Sequence, residues 1–319
     1  MPWFAMSCMC MKNRAVCFFI SVVCFFPVGG FAQQYDTLSK FSQPIMLDTF
    51  VLKSGFDINA FIRRVRTDTT FYKAFKSLHL VQYNTVSDFK SYGKNDKVSA
   101  TMHCKTRQDI TNHCRITKII DRQTTGDFLT RNGDYNYYTA GLFANLFFSD
   151  TPVCNETDIV AGSLDMHGKG QMEKNKYELK QLIFNPGSKV SGVPFMGDRE
   201  SIFEPGEAEK YDFKIMQEQY NGQDCYVFKI TPKPGYEHSV IYDELTTWFR
   251  NSDYSIVARD YSLSYHTLFY DFDVSMKVRT TQTGNKLYPV SIEYDGNWHV
   301  FTKKRERVKF NVEINYPNP

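Results

Sequence analysis

Tyr211-Asp212-Phe213-Lys214-Ile215-Met216-Gln217-Glu218-Gln219-Tyr220-Asn221-Gly222-Gln223-Asp224-Cys225-Tyr226-Val227-Phe228-Lys229-Ile230 is the stretch that decides the fold. Tyr211, Phe213 and Ile215 alternate with polar residues, the period-two pattern of a strand with one buried face. Asn221-Gly222 suits positive φ at both positions, which is the type I′ turn of a tight hairpin. Residues 225–230 return as the partner strand. The pattern continues toward the C-terminus, with strands predicted over 239–249, 255–265, 269–280, 286–298 and 300–314. Thr283-Gly284-Asn285 reads as another turn, and Asp295-Gly296 as a kink or bulge near Trp298. So many consecutive strands joined by short loops form a meander, which must curl or be covered to hide its apolar face.

Toward the N-terminus the period changes. Asp57 is placed as an N-cap, and Ile58, Phe61, Ile62 and Val65 follow at helical spacing. Thr67-Asp68-Thr69 interrupts the stripe, and Phe71, Phe75 and Leu78 resume it. Two short amphipathic helices, or one broken helix, cannot bury such a stripe alone, so a sheet must supply the other side. Strands are predicted over 79–92, 98–107 and 113–121. The Ala-rich apolar run 137–148 reads as a buried helix, and 172–184 as a second, ended by Asn185-Pro186-Gly187. Residues 184–197 carry glycines, prolines and apolar side chains without a period, which suits a long loop or flap as well as a plain connector. The fold class is α+β, mainly β: a large curved antiparallel sheet, a half-barrel-like meander, with N-terminal helices and a helical insertion.

The first 32 residues set the compartment. Lys12 and Arg14 precede the apolar run 15–28, and Gly30-Phe31-Ala32 is a small-x-small cleavage signal. The domain plan is therefore a signal peptide over 1–32, a polar spacer over 33–50 and a single β-rich domain over 51–319. Val23 stands before Cys24 where a lipobox needs a small residue, which argues against a lipid anchor. Removing Lys12 and Arg14 from a chain of net charge +3 leaves a nearly neutral mature protein. Nothing in that charge suggests the basic face that nucleic acid requires. The most basic run, Lys303-Lys304-Arg305-Glu306-Arg307, reads as a solvated turn and charged strand edge in preference to a polyanion site.

After cleavage four cysteines remain, Cys104, Cys114, Cys154 and Cys225, which allow three pairings in an oxidising compartment. With a turn centred near Asp109, Cys104 and Cys114 face each other across a hairpin and form a candidate disulfide. Unpaired buried thiols are the alternative. His103-Cys104 with His113-Cys114 matches zinc by ligand type. Adjacent strand residues point to opposite faces, however, so no metal is expected there. Asp271 and Asp273 share a strand face as a carboxylate pair must, although a solvated face explains the same spacing. The remaining histidines show no ligand spacing, and Asn155-Glu156-Thr157 matches a glycosylation sequon. No serine-nucleophile elbow, zinc-protease helix, phosphate loop or dinucleotide fingerprint is present. The chain is expected to be non-enzymatic and to need no cofactor.

Two regions carry a resemblance. Residues 61–68 (FIRRVRTD) with 71–78 (FYKAFKSL), and the run from Leu182 through Pro186-Gly187, Cys225-Tyr226-Val227-Phe228-Lys229-Ile230-Thr231-Pro232-Lys233 and Leu287-Tyr288-Pro289, resemble exported Bacteroidota proteins of unknown function. The order of helices then meander is similar to the lipoprotein-carrier superfamily of the LolA and LolB type, in which a curved antiparallel sheet wraps helices and holds acyl chains. That likeness implies a periplasmic or outer-membrane-associated protein whose partners are an apolar ligand or a lipoprotein, with peripheral membrane association. Inward aromatics such as Phe213, Phe228, Trp248, Phe269 and Trp298 are the candidate ligand-lining residues. A structural or interaction module, its sheet filled by Phe61, Val65, Phe71 and Phe75, is the alternative, and a hydrolase using Asp271 and Asp273 a third reading. The sequence sets no oligomeric state.

Overall fold

The computed structural model describes residues 57–159, Pro186, 202–266, 270–300 and 304–317. These residues lie in one compact unit, Leu38–Pro319. The leader, the polar spacer, the 172–184 helix and, apart from Pro186, the 184–197 loop lie outside the described residues.

Eleven antiparallel strands form one open, curved sheet: β1 (Tyr83–Tyr92), β2 (Val98–Thr111), β3 (Cys114–Thr125), β4 (Val153–Cys154), β5 (Tyr211–Tyr220), β6 (Gln223–Pro232), β7 (Tyr242–Arg250), β8 (Ile256–His266), β9 (Tyr270–Thr283), β10 (Lys286–Val300) and β11 (Glu306–Asn315). Their spatial order is β4-β3-β2-β1-β11-β10-β9-β8-β7-β6-β5. The C-terminal meander is thus extended past its last strand by the N-terminal hairpins, through β1 paired with β11. The β5–β6 turn forms where its sequence asks for it, with φ of 48° at Asn221 and 75° at Gly222.

The Asp295-Gly296 expectation is corrected. β10 runs straight through both residues, and its irregularity falls between Pro289 and Ser291. Gly296 serves another purpose. The Tyr294 ring lies along the strand where a Gly296 Cβ would sit, and its hydroxyl meets the Trp298 indole N–H.

The candidate Cys104–Cys114 disulfide is also corrected, because the β2–β3 turn is not centred near Asp109. Asn112 and His113 both adopt positive φ, 52° and 58°, and make a two-residue turn closed by Thr111 and Cys114. Cys104 therefore sits far up the hairpin, opposite Arg122. Cys114 instead pairs in register with Cys154 of β4 and is disulfide-bonded to it. Cys104 and Cys225 are free and buried. Opening the Cys114–Cys154 bridge by reduction, or by Cys154→Ser, is expected to lower stability by about 2–4 kcal/mol, since it closes a loop 40 residues long. The check is the urea midpoint of oxidised against reduced protein, and identical midpoints would sink the pairing.

Among the described residues the α-helices are α1 (Ile58–Thr67), α2 (Thr70–Ser77), α3 (Tyr138–Phe147) and the single turn α4 (Pro205–Ala208). Asp57 caps α1, its carboxylate accepting from the Ala60 amide at 2.9 Å. The break before α2 is held by Asp68, whose Oδ1 accepts from the Thr70 amide at 3.2 Å and hydroxyl at 2.6 Å. Glu306 of β11 accepts from the first amides of α3, at Tyr138 and Thr139. A carboxylate there satisfies donors that a helix leaves open and suits its dipole. Phe61, Ile62, Phe71, Ala74 and Phe75 of α1 and α2, and Phe143 of α3, are buried. All of these but Ile62 lie in one continuous core with a face of the sheet, which we call the inner face. No helix among the described residues is long and apolar enough to cross a membrane.

Candidate functional site

The printed registers connect residues of the inner face into rows that cross the sheet. One row runs Phe213, Ile230, Leu245, Tyr261, Met276, Tyr294, Phe310, Phe89 and Met102. The adjacent row runs Ile215, Phe228, Thr247, Arg259, Val278, Ile292, Val312, Ser87 and Cys104. Directly opposed residues on neighbouring strands share a face, so each row is one strip of contacting side chains. The first row is apolar but for two phenol hydroxyls. The second contains a single charge, Arg259, near its middle.

Arg259 is 6% exposed. Its Nε donates to Thr247 Oγ1 at 3.0 Å, and its guanidinium carbon lies 4.3 Å from the centre of the Phe71 ring. Burial pushes the guanidinium below its ordinary pKa, opposed by the charge of Asp68 and by Tyr261 and Tyr242. Among the described residues no carboxylate is within ion-pair distance of it. Asp68 faces it from the α1–α2 link with a buried Oδ2 that makes no hydrogen bond. Sequence reasoning passed over Arg259, yet the alternation held the signal: Arg259, Tyr261, Leu263 and Tyr265 are in phase on β8.

The predicted lining residues divide. Phe228 and Trp298 are buried on the inner face, and Phe213 is half-buried at its edge, stacked 6.0 Å from the Phe228 ring. Phe269 lies outside the described residues. Trp248 is corrected: it opposes Val227 and Ala258 on the other face, where it packs 5.4 Å from Tyr220 and donates to Glu218. Trp248 and Phe249 are consecutive aromatics, and strand alternation gives the inner place to Phe249.

The structure does not gather the zinc candidates. His103 bonds Asp88 at 2.8 Å, Cys104 points to the opposite face, and Cys114 is in its disulfide. Burial pushes the Cys104 and Cys225 thiols up, away from the reactive thiolate.

Asp271 and Asp273 do share a face, and His266, which showed no ligand spacing in the sequence, joins them. Its Nδ1 is 3.4 Å from Asp271 and its Nε2 is 3.4 Å from Asp273, a cluster with ligand atoms close enough to hold a cation. Arg305 also holds Asp271 at 2.7 Å. The Arg305 hydrogen bond draws the Asp271 pKa down, the reverse of what a general acid needs.

The basic run 304–307 borders a cleft of about 920 Å³ together with Tyr92, Tyr135 and Tyr137. Its two arginines are engaged: Arg307 pairs with Asp96, and Arg305 with Asp271 and Asn297. Glu306 adds a negative charge at the start of α3, and these pairings support the solvated-edge reading over a polyanion site.

No family model matches the chain, and no curated protein matches it significantly. Solved structures with some likeness include a domain described as an outer membrane lipoprotein-sorting protein from Vibrio parahaemolyticus, with 13% identity, TM-score 0.26, and coverage of 81% of this chain and 91% of that one. A LolA superfamily protein from Nitrosomonas europaea has 10% identity, TM-score 0.23, and coverage of 79% and 93%. A DUF1329 family protein from Desulfovibrio piger has 15% identity, TM-score 0.21, and coverage of 78% and 95%.

Proposed function

We propose that this protein is an exported, non-enzymatic envelope protein that holds a lipid or lipoprotein acyl chain between the inner face of its sheet and its helical cover. The observation that carries this reading is the pair of unbroken side-chain rows crossing the sheet, covered by helices of only ten and eight residues. Helices that short are marginal on their own and owe their structure to docking. A cover of this kind can shift as a unit when something else occupies the surface beneath. An acyl chain entering there gains about 0.8 kcal/mol per buried CH₂. A chain of ordinary length therefore offsets the packing of a few displaced rings.

A second reading, a structural or interaction module, draws on one observation: Phe61, Phe71 and Phe75 already occupy the inner face. Native mass spectrometry of mature protein purified from its own periplasm, with lipid extraction of the same sample, separates the two. The acyl reading expects a bound mass that extracts as lipid. A clean apo mass, with no uptake of a fluorescent fatty acid, would overturn it in favour of the filled sheet.

A further inference from the structure

Arg259 is the one charge in its row, and its position is costly. A guanidinium removed from water needs a partner, and replacing a buried ionic group by an apolar side chain of similar volume is often neutral or stabilising. Here it has one hydroxyl, Thr247, and the face of one ring, Phe71. Its planar fork of donors is suited to two oxygens of a carboxylate or phosphate. Apolar strips flank it: Ile215 and Phe228 on one side of its row, Val278, Ile292 and Val312 on the other, with Tyr261 and Met276 in the next. A surface that is apolar for many ångströms, with one unpaired cation near its middle, has the chemistry of an amphiphile with an oxyanion at one end.

We infer that Arg259 reads the headgroup: the acyl ligand of the inner face carries an anionic carboxylate or phosphate that seats on this guanidinium. The inference rests on the acyl-binding reading and names the ligand class for it. Phe71 and Asp68 both belong to the cover, on α2 and on the link before it. A ligand that displaces the cover therefore removes the ring and the one carboxylate facing Arg259, and leaves the cation to the incoming oxyanion. If Arg259 served only to hold α2, its replacement would change stability and affect every ligand equally. Headgroup selectivity separates the two roles.

The test measures binding of dodecanoate, dodecyl phosphate and 1-dodecanol to the mature protein, to Arg259→Met and to Arg259→Lys. The native protein is expected to bind at least one anion about tenfold more tightly than the alcohol, which is about 1.4 kcal/mol. Arg259→Met is expected to lose that preference while keeping its affinity for the alcohol, and Arg259→Lys to retain part of it. The favoured anion identifies the headgroup as carboxylate or phosphate. Equal affinity of the native protein for all three overturns the inference and leaves the acyl reading standing, even if Arg259→Met fails to fold. A preference that survives in Arg259→Met also overturns it. Binding of none of the three removes the acyl reading itself.

Discussion

Glu156→Ala is expected to lower the unfolding free energy by about 3–5 kcal/mol, the cost of stranding a buried charge. Arg115 on β3 is 6% exposed, and Glu156, two residues beyond β4, accepts from its Nε and Nη2. Nη1 is buried with no hydrogen bond, so this guanidinium has no slack to absorb a lost partner. Glu156 also pairs with His79 Nδ1 at 2.9 Å, which ties the short turn after α2 to the same corner. Urea denaturation of the variant provides the measurement. Glu156→Gln, which keeps an acceptor and loses the charge, is expected to fall between the two. The double change Arg115→Met with Glu156→Leu is expected to recover most of the loss, because it removes the ion with its partner. A loss below about 1 kcal/mol in Glu156→Ala would show that Arg115 behaves as a solvent-exposed pair.

That corner also shows where the sequence stops being legible. Local chemistry was readable: the Asn221-Gly222 turn, the Asp57 cap, the break at Asp68 and the buried run of α3 each follow from residues a few positions apart. Partners that depend on sheet order were not. Nothing in β1 or β11 names the other as its neighbour, so the joining of the N-terminal hairpins to the meander through Phe89 and Phe310 is invisible in one dimension. The Cys114–Cys154 bridge depends on β4, a strand of two residues with no periodic signal. The Cys104 error followed from placing the turn at Asp109, when Asn112-His113 makes it. An Asn-His pair taking positive φ at both positions is a weaker signal than Asn-Gly, because only glycine is free of the steric cost there. His266 meets Asp271 and Asp273 through the antiparallel pairing of β8 with β9, which spacing alone does not reveal. Trp248 and Arg259 are opposite errors of phase. Size favours an inward tryptophan and charge an outward arginine, yet alternation along β7 and β8 turns Trp248 outward and Arg259 inward.

Phe61→Ala is the change that bears most directly on function, with an expected cost of about 3–5 kcal/mol for truncating a buried phenylalanine. Phe61 is 3% exposed and sends its ring from α1 among those of Tyr226, Phe228, Phe249 and Tyr254, at 5.3–6.0 Å. Arg64 adds a second tie, donating to the Asp253 carbonyl at 3.1 Å and covering the Tyr254 ring at 4.9 Å. Both contacts fasten α1 to the β5–β8 side of the sheet. If the helices are a displaceable cover, the lost energy is spent locally: α1 amides exchange faster, β9–β11 amides keep their protection, and uptake of a fluorescent fatty acid rises as the face is uncovered. Local opening with a free energy below that of global unfolding is what a binding lid requires. If the helices are part of a filled core, α1 and the sheet lose protection together and fatty-acid uptake does not rise in the folded protein. Hydrogen exchange resolved by residue, run beside the uptake assay on the same variant, thus decides whether these two short helices guard a surface or complete one.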